Sequence, residues 1–184
     1  MSDAEAISGL LEANSGNQGG MLLGQWPREV IATRISSGQS IVIATGEKGQ
    51  LLGALLTSEK GFDDAPPVRG MLKAWPGGSD AYVYGPVCVS QDARGLGVLD
   101  ALYVKLQATF PGREAILFIR EDNPRSLKAH LRLGMREVAR YEFGGKVFII
   151  LSDGAASGNS RAYPADWSRE RAAPASGFTP SCER

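Results

Sequence analysis

The residues best suited to chemistry lie at positions 87–97, between an apolar run and a helical pattern. A strand that leads through a glycine-rich turn into a helix directs several unpaired backbone N–H groups at one place, where the helix dipole adds partial positive charge. Gly95 and Gly97 let an anion approach the backbone closely, and Arg94 can donate two parallel charged hydrogen bonds. The pattern favours a phosphate-binding turn. The alternative is a tight turn whose glycines only relieve strain and whose arginine is solvated.

Two other phosphate-binding motifs do not fit this segment. A P-loop requires Gly-Lys followed by Ser or Thr, and the sequence contains no such triplet. The dinucleotide-binding fingerprint requires a third Gly or Ala three positions after Gly97, where the chain has Asp100. A carboxylate at that position would repel a diphosphate. Both motifs are therefore disfavoured.

Residues 89–102 resemble the acyl-CoA binding motif of the GNAT superfamily of N-acetyltransferases. That motif reads Arg or Gln, two residues, Gly, one residue, and then Gly or Ala. Arg94 and Gly97 match its first two fixed places, and Leu99 occupies the last place, where the family prefers a small residue. The resemblance extends from about Ile7 to Leu151 and does not include the residues that follow.

The resemblance implies that the protein binds acetyl-CoA. Backbone amides of the turn would hold the diphosphate, and backbone groups of the preceding strand would pair with the pantetheine arm. A second motif of the family, in which an Asn opens a helix that ends in Leu-Gly-Phe, is similar to residues 119–135 and adds Asn123 near the thioester. The cofactor-binding residues implied in this way are Val87, Val89, Arg94, Gly95, Leu96, Gly97, Val98 and Asn123.

His130 stands where the second motif commonly carries Tyr, four positions before Gly134. The thiol of the coenzyme has a pKa of about 8.5, so a group with a pKa of about 6.5 to 10 can protonate it as it leaves. Imidazole meets this requirement, and it can also act as a base toward the amine through a water molecule. His130 is therefore the candidate catalytic side chain, in either role. The alternative is a histidine on a helix surface with no catalytic part.

Val89 supplies a second candidate catalytic group, its backbone N–H. Amide formation from a thioester passes through a tetrahedral oxyanion, and one backbone donor to such an oxyanion is worth about 3 kcal/mol. Positioning the amine against the thioester contributes more, about 7 to 11 kcal/mol in favourable cases. A bulge at Gly85 and Pro86 would free a strand amide to face the thioester, and we assign this amide to Val89.

Other side chains have less specific signals. The acids near predicted strand ends, any of which could act as a base through water, are Glu47, Asp80, Glu121 and Asp122. The aromatic residues that either line an acceptor pocket or pack in the core are Trp75, Tyr82 and Tyr84. Cys88 should point away from the face shared by Val87 and Val89, which argues against a covalent acyl-cysteine route.

The composition limits the class of protein. The 184 residues suit one domain, and 20 Lys and Arg balance 20 Asp and Glu, so no overall field attracts nucleic acid or an acidic membrane. Cys88 and Cys182 lie far apart and His130 is the only histidine, so the sequence predicts neither a metal site nor a disulfide framework. The N-terminus has no basic segment, and the apolar runs are shorter than a membrane span. We therefore expect a cytoplasmic protein.

The pattern of apolar residues and turns predicts the order of elements. Helices are predicted at residues 3–13, 27–35, 98–110 and 124–133, and strands at 40–45, 51–57, 81–89, 115–119, 137–143 and 146–151. Residues 60–79 are predicted to form a long functional loop with one helical turn at 69–74. A strand, a helix and a strand in succession imply a parallel pair. The fold class is α/β (α+β), which the resemblance completes as a GNAT-type three-layer fold, with a mixed central sheet that has a splayed parallel pair and is flanked by helices.

The predicted domain covers residues 1–152. Residues 153–184 are rich in Ala, Ser, Pro and Arg and are predicted to form a flexible C-terminal tail, although Tyr163, Trp167 and Phe178 could dock on the domain. The function implied by the resemblance is transfer of the acetyl group of acetyl-CoA to a primary amine of a small molecule or peptide, by direct attack. The alternative is a catalytically silent module of the same fold that binds acyl-CoA or a protein partner. A homodimer is compatible with the resemblance.

Overall fold

The computed structural model describes residues 3–154 together with the backbone of Phe178–Glu183. By its internal contacts the chain divides into two compact units. The first takes in the described residues of Met1–Thr57, Gly85–Pro111 and Ala172–Arg184, and the second takes in those of Ser58–Tyr84 and Gly112–Arg171. Each unit has its own hydrophobic core.

The described residues form helices and strands in the order that the sequence predicts, except that one helix is longer than predicted and one strand is not predicted. The helices are α1 (Asp3–Glu12), α2 (Arg28–Ser36), α3 (Pro66–Ala74), α4 (Val98–Thr109) and α5 (Pro124–Arg132). The strands are β1 (Ile41–Gly46), β2 (Leu51–Glu59), β3 (Tyr82–Val89), β4 (Ala115–Arg120), β5 (Arg136–Phe143), β6 (Lys146–Ser152) and β7 (Phe178–Glu183). None of the helices in the described part of the chain is long and apolar enough to cross a membrane.

The first unit contains α1, α2, α4 and the predicted β1–β2 hairpin. β1 and β2 pair antiparallel, with Ile41 opposite Leu56. α1 forms because Ala4, Ile7 and Leu11 recur on one face of the helix, and that face is buried in the core of this unit. The hairpin and the first two helices are therefore confirmed.

The second unit contains α3, α5 and the strands that carry the parallel pair. β3 pairs parallel with β4, with Tyr82 opposite Ala115 and Val83 opposite Ile116. β4 then pairs antiparallel with β6, and β6 pairs antiparallel with β5. The sheet is therefore mixed and contains the predicted parallel pair.

Gly85 lies at the middle of β3, where the sequence predicts an interruption. Its φ angle is +114°, a value that glycine adopts and other residues avoid, and the peptide bond between Gly85 and Pro86 is cis. The strand therefore departs from regular β geometry at this position.

α3 is longer than the single turn that the sequence predicts. Pro66 and Pro67 stand in its first turn, where a fixed φ angle suits the helix and a missing N–H costs no hydrogen bond. Val68 and Met71 are buried in the core of the second unit. The sequence predicts a loop at residues 66–68, whereas Pro66 and Pro67 begin a helix that packs, so the prediction is wrong for these three residues.

The C-terminal part of the chain contains a strand that the sequence analysis did not predict. β7 pairs antiparallel with β1 over its whole length, from Phe178 opposite Gly46 to Glu183 opposite Ile41. Residues 155–177, with Tyr163 and Trp167, lie outside the described residues. The predicted tail thus includes at least one element of regular structure.

Candidate functional site

The turn after β3 has the strand–turn–helix geometry that the sequence predicts. Ser90 donates from its backbone N–H to the carbonyl oxygen of Leu52 at 2.8 Å, a 3₁₀ turn follows at Gln91–Ala93, and α4 begins shortly after it. Gly95 and Gly97 have φ angles of +83° and +77°. Glycine adopts this left-handed region without strain, so the two glycines are required by the backbone path of the turn.

The start of α4 presents backbone donors to solvent. The first amides of a helix have no acceptor within it, and Gly97 at the N-cap has no side chain to supply one. Gly95 is exposed, and Leu99 is half-buried rather than part of the core. Leu96 is also exposed, but its N–H donates to the carbonyl oxygen of Ala93 at 3.3 Å and is not among the unpaired donors. Because these N–H groups lie at the positive end of the helix dipole, the turn is chemically suited to an anion.

Arg94 does not extend freely into solvent. Its Nη2 atom donates to the side-chain oxygen Oδ1 of Asn14 at 2.9 Å. Asn14 lies just after α1, eighty positions earlier in the chain. No pattern in the sequence distinguishes Asn14, because it lies in a polar segment that ends a helix and carries no other signal.

Cys88 alternates with its neighbours on β3 as the sequence predicts. It is buried in the core of the first unit, whereas Val87 and Val89 are half-buried. Burial raises the pKa of the Cys88 thiol to about 12, against a smaller opposing effect of the Arg94 charge. The thiol therefore stays protonated near neutral pH and is a poor nucleophile, which argues against an acyl-cysteine intermediate.

Asn123 caps α5 in the second unit. Its side-chain oxygen accepts a hydrogen bond from the backbone N–H of Ser126 at 3.2 Å, and Pro124 follows in the first turn. The cap uses the oxygen, so the amide nitrogen Nδ2 is the group that Asn123 can offer to a ligand.

His130 is buried on α5, with only 2% of its surface exposed. Its Nδ1 atom lies 2.8 Å from the backbone oxygen of Ser126, and its ring meets the ring of Tyr84 edge-on at 5.4 Å between centroids. Among the described residues, no group forms a hydrogen bond with its Nε2 atom. The interpretation of His130 as a histidine on a helix surface is therefore wrong.

The burial of His130 also sets its charge. Burial lowers the pKa of His130, and the hydrogen bond to Ser126 opposes this only in part. The imidazole is therefore neutral at pH 7. Because a carbonyl oxygen can only accept, Nδ1 carries the hydrogen and Nε2 carries a lone pair.

The acids that the sequence singled out are exposed. Glu121 pairs with Arg140 at 2.7 Å. Asp122 pairs with Arg120 at 2.5 Å, and the hydrogen bond from this arginine lowers the pKa of Asp122. The two remaining acids of this group, Glu47 and Asp80, are also exposed. None has the features of a buried catalytic base.

The aromatic candidates are buried or half-buried in the second unit. Tyr82 and Tyr84 are almost completely buried, and the guanidinium of Arg113 lies 5.4 Å from the centre of the Tyr82 ring. Trp75 packs against the core and donates from its indole N–H to Glu114 at 3.2 Å. The packing interpretation of these side chains is the one that their burial supports.

Glu114 is a residue that the sequence analysis missed. Its carboxylate accepts hydrogen bonds from the Trp75 indole, from the Gly78 backbone N–H at 2.6 Å and from the Ser152 hydroxyl at 2.5 Å. Burial alone would raise the pKa of Glu114, but these hydrogen bonds outweigh it and lower the pKa. Glu114 therefore anchors the segment after α3, and no local pattern in the sequence indicates this.

Comparison with known proteins supports the predicted fold. The sequence matches no protein-family model and no curated protein. Solved structures do match: a GNAT-family acetyltransferase from Streptococcus agalactiae has a TM-score of 0.62 at 15% identity, over 84% of this chain and 91% of that one. An N-acetyltransferase from Staphylococcus aureus Mu50 has a TM-score of 0.58 at 16% identity, over 82% of this chain and 91% of that one.

A third match was solved with a ligand. It is an aminoglycoside 6'-N-acetyltransferase complexed with coenzyme A, with a TM-score of 0.56 at 14% identity, over 81% of this chain and 88% of that one. The chain therefore has the fold of the GNAT acetyltransferases, and the prediction of the fold class is confirmed.

Proposed function

We propose that this protein transfers the acetyl group of acetyl-CoA to a primary amine by direct attack of the amine on the thioester. The observation that carries the proposal is the turn between β3 and α4, where Gly95 and Gly97 take left-handed backbone angles in a chain that has the GNAT fold. The matching structure that holds coenzyme A is consistent with this cofactor.

The cofactor would be held mainly by the backbone. The N–H groups at the start of α4 and in the turn before it bind the diphosphate, and Arg94 adds a charged donor. Backbone groups of Val87 and Val89 pair with the pantetheine arm, and Asn123 offers its Nδ2 near the thioester. The resemblance assigns the amides of Gly95, Leu96, Gly97 and Val98 to the diphosphate. Because the Leu96 N–H already donates to the carbonyl oxygen of Ala93 at 3.3 Å, the amides that we propose to take part are those of Gly95, Gly97 and Val98.

The chemical step forms a C–N bond and breaks a C–S bond. The amine nitrogen attacks the thioester carbonyl carbon, and the backbone N–H of Val89 stabilises the oxyanion that results, which is worth about 3 kcal/mol. The C–S bond then breaks. The amine loses one proton, and the leaving thiolate takes up one proton, so one group that accepts a proton and later donates it can serve both steps.

His130 is the group that we assign to this transfer of a proton. Its Nε2 atom carries a lone pair because Nδ1 donates to Ser126, so the resting imidazole accepts a proton and does not donate one from Nε2. The imidazolium formed in this way has a lower pKa than the thiol, so it passes the proton to the thiolate. His130 therefore takes both roles that the sequence left open, first as the base and then as the acid.

The proposal extends to partners and location. The acceptor is an amine of a small molecule or a peptide, and neither nucleic acid nor a membrane is a partner. The protein acts in the cytoplasm, and its assembly is a homodimer. These points depend on the sequence and the resemblance.

A panel of amines tests the function. The full-length protein is incubated with acetyl-CoA and with polyamines, aminoglycosides, amino acids or peptides, and release of free thiol is followed. We expect release that depends on one class of amine. Binding of acetyl-CoA without thiol release on any amine would instead support a silent module that binds acyl-CoA. No uptake of coenzyme A by calorimetry would contradict the transferase and would leave only a module that binds a protein partner.

A further inference from the structure

Asn14 is held in one orientation by three features of its surroundings. Its side-chain Nδ2 donates to the backbone carbonyl oxygen of Leu10 at 2.9 Å. Its backbone carbonyl oxygen accepts from the backbone N–H of Leu22 at 3.1 Å. The chain passes so close to this oxygen at Gly20 that a side chain there would lie 1.9 Å from it. Because Nδ2 is taken up by Leu10, the oxygen Oδ1 is the atom that Asn14 presents outward.

Arg94 receives its orientation from this oxygen. The Asn14 Oδ1 atom accepts from Nη2 of Arg94 at 2.9 Å, and Arg94 immediately precedes the left-handed Gly95 of the turn. A long arginine side chain has many rotamers in solution, and it loses that freedom when it binds an anion. A side chain that is already held in place loses less on binding.

The partner of Arg94 is neutral, whereas the partners of Arg113 and Arg140 are charged. Arg113 pairs with the carboxylate of Glu59 at 2.7 Å, and Arg140 pairs with that of Glu137 at 2.6 Å. A carboxylate orients a guanidinium and also cancels its charge. An amide oxygen orients it and leaves the positive charge, with its remaining N–H donors, available to a second anion.

We propose that Asn14 is a positioning residue for coenzyme binding: it holds the Arg94 guanidinium in place beside the turn, with its charge intact, to receive the coenzyme's diphosphate. This inference depends on the proposed function, because it assumes that the turn binds acetyl-CoA. It adds a residue from the end of α1 to the cofactor site, outside both motifs that the resemblance supplied.

Calorimetric titration with coenzyme A tests the inference. We expect Asn14→Ala to raise the Kd for coenzyme A by about threefold to tenfold, and Arg94→Ala to raise it by about tenfold to thirtyfold. The double variant should bind no more weakly than Arg94→Ala alone, because Asn14 acts through Arg94. Pantetheine, which lacks the diphosphate, should bind the wild type and both single variants equally.

Two further variants separate positioning from general damage to the loop. Asn17→Ala removes an exposed asparagine from the same loop and should leave the Kd unchanged. Asn14→Asp keeps the size of the side chain and the acceptor oxygen but adds a negative charge beside Arg94, so it should bind coenzyme A at least as weakly as Asn14→Ala. If the alanine variant does not fold, Asn14→Asp provides the same test of whether Asn14 positions Arg94.

The outcomes distinguish this inference from the proposed function. If wild-type protein takes up no coenzyme A, the proposed function fails. If the wild type binds and Asn14→Ala binds equally well or more tightly, or if the effects of Asn14→Ala and Arg94→Ala simply add, then Asn14 does not position Arg94 and only this inference fails.

Discussion

The Nδ1 atom of His130 lies 2.8 Å from the backbone oxygen of Ser126, one turn earlier in α5. The acceptor is a main-chain carbonyl, which has no hydrogen to give, so the imidazole must donate. The ring is therefore held as the tautomer with its hydrogen on Nδ1, and the buried Nε2 atom is left as an acceptor. This single contact makes Nε2 of the resting imidazole an acceptor, so the neutral ring can act first only as a base.

The tautomer of His130 is directly measurable, because the chain has one histidine. In protein labelled with ¹⁵N at histidine, the two ring nitrogens should give the shifts of a neutral imidazole protonated at Nδ1 at pH 7. An Nε2-protonated ring or an imidazolium at that pH would contradict the assignment. A sample unfolded in urea supplies the reference spectrum of the same residue.

The lowered pKa of His130 also predicts how stability depends on pH. Because the folded protein holds this imidazole neutral, the unfolded chain binds more protons between the folded pKa and the unfolded value of about 6.5. The contribution to the free energy of unfolding is therefore fully present above the unfolded pKa and is lost as the pH falls below it. Urea unfolding at several pH values measures this, and His130→Phe should flatten the curve in that range.

His130→Phe should lower turnover by about a hundredfold and leave the affinity for acetyl-CoA nearly unchanged, since it removes proton transfer and keeps a ring against Tyr84. The measurement is kcat with a saturating amine, alongside calorimetry with the coenzyme. Ser126→Ala is the matched control: it removes a hydroxyl 3.4 Å from Nδ1 but keeps the carbonyl that fixes the tautomer. Wild-type turnover in His130→Phe would refute its catalytic role.

Gly95→Ala should weaken coenzyme binding by more than its effect on stability explains. At a φ of +83° an alanine costs about 1 to 2 kcal/mol of strain, and nothing in the described protein lies within 4 Å of the added Cβ. Gly112→Ala is the matched control, because Gly112 has a φ of +76° and equally open surroundings. The midpoint temperature of thermal unfolding should fall by similar amounts in both variants, while only Gly95→Ala should raise the Kd for coenzyme A. Equal Kd values in the two variants would count against a diphosphate at this turn.

Glu114→Ala should reduce the free energy of unfolding by about 2 to 3 kcal/mol, because it leaves the Trp75 indole, the Gly78 amide and the Ser152 hydroxyl without their acceptor. Glu59→Ala removes a more exposed carboxylate that pairs with Arg113, and it should cost less than about 1 kcal/mol. Urea unfolding of both variants makes the comparison. Similar losses in the two would mean that Glu114 is not the anchor of this segment.

Glu114 also makes the free energy of unfolding depend on pH, but for a different reason from His130. Hydrogen bonds favour the charged form of Glu114, whereas burial disfavours the charged form of His130. The folded protein lowers the pKa of this carboxyl, so its contribution is present above the unfolded value of about 4.3 and is lost as the pH falls through the folded pKa. Replacement by Gln should therefore lessen the loss of stability between neutral and acidic pH.

Much of the fold and of the candidate site follows from local sequence. The backbone angles at Gly95 and Gly97, the helix that begins after them, and the cap formed by Asn123 ahead of Pro124 are set by steric and hydrogen-bonding rules that act over a few neighbouring residues. For this reason the order of elements and the backbone path of the glycine-containing turn were predictable. α3 was not, since its prolines suit a loop and a first helical turn equally well, and only the burial of Met71 decides between them.

The sequence by itself determined the turn, the order of strands and helices, and the chemical types available at Arg94 and His130. Tertiary structure alone decided that Arg94 would be held by Asn14, that Glu114 would accept from three donors in two segments, and that β7 would pair with β1. It also decided that His130 would be buried and neutral. The physical reason is that local geometry depends on neighbouring residues, whereas a side chain's partner and its charge depend on which distant surfaces folding brings against it.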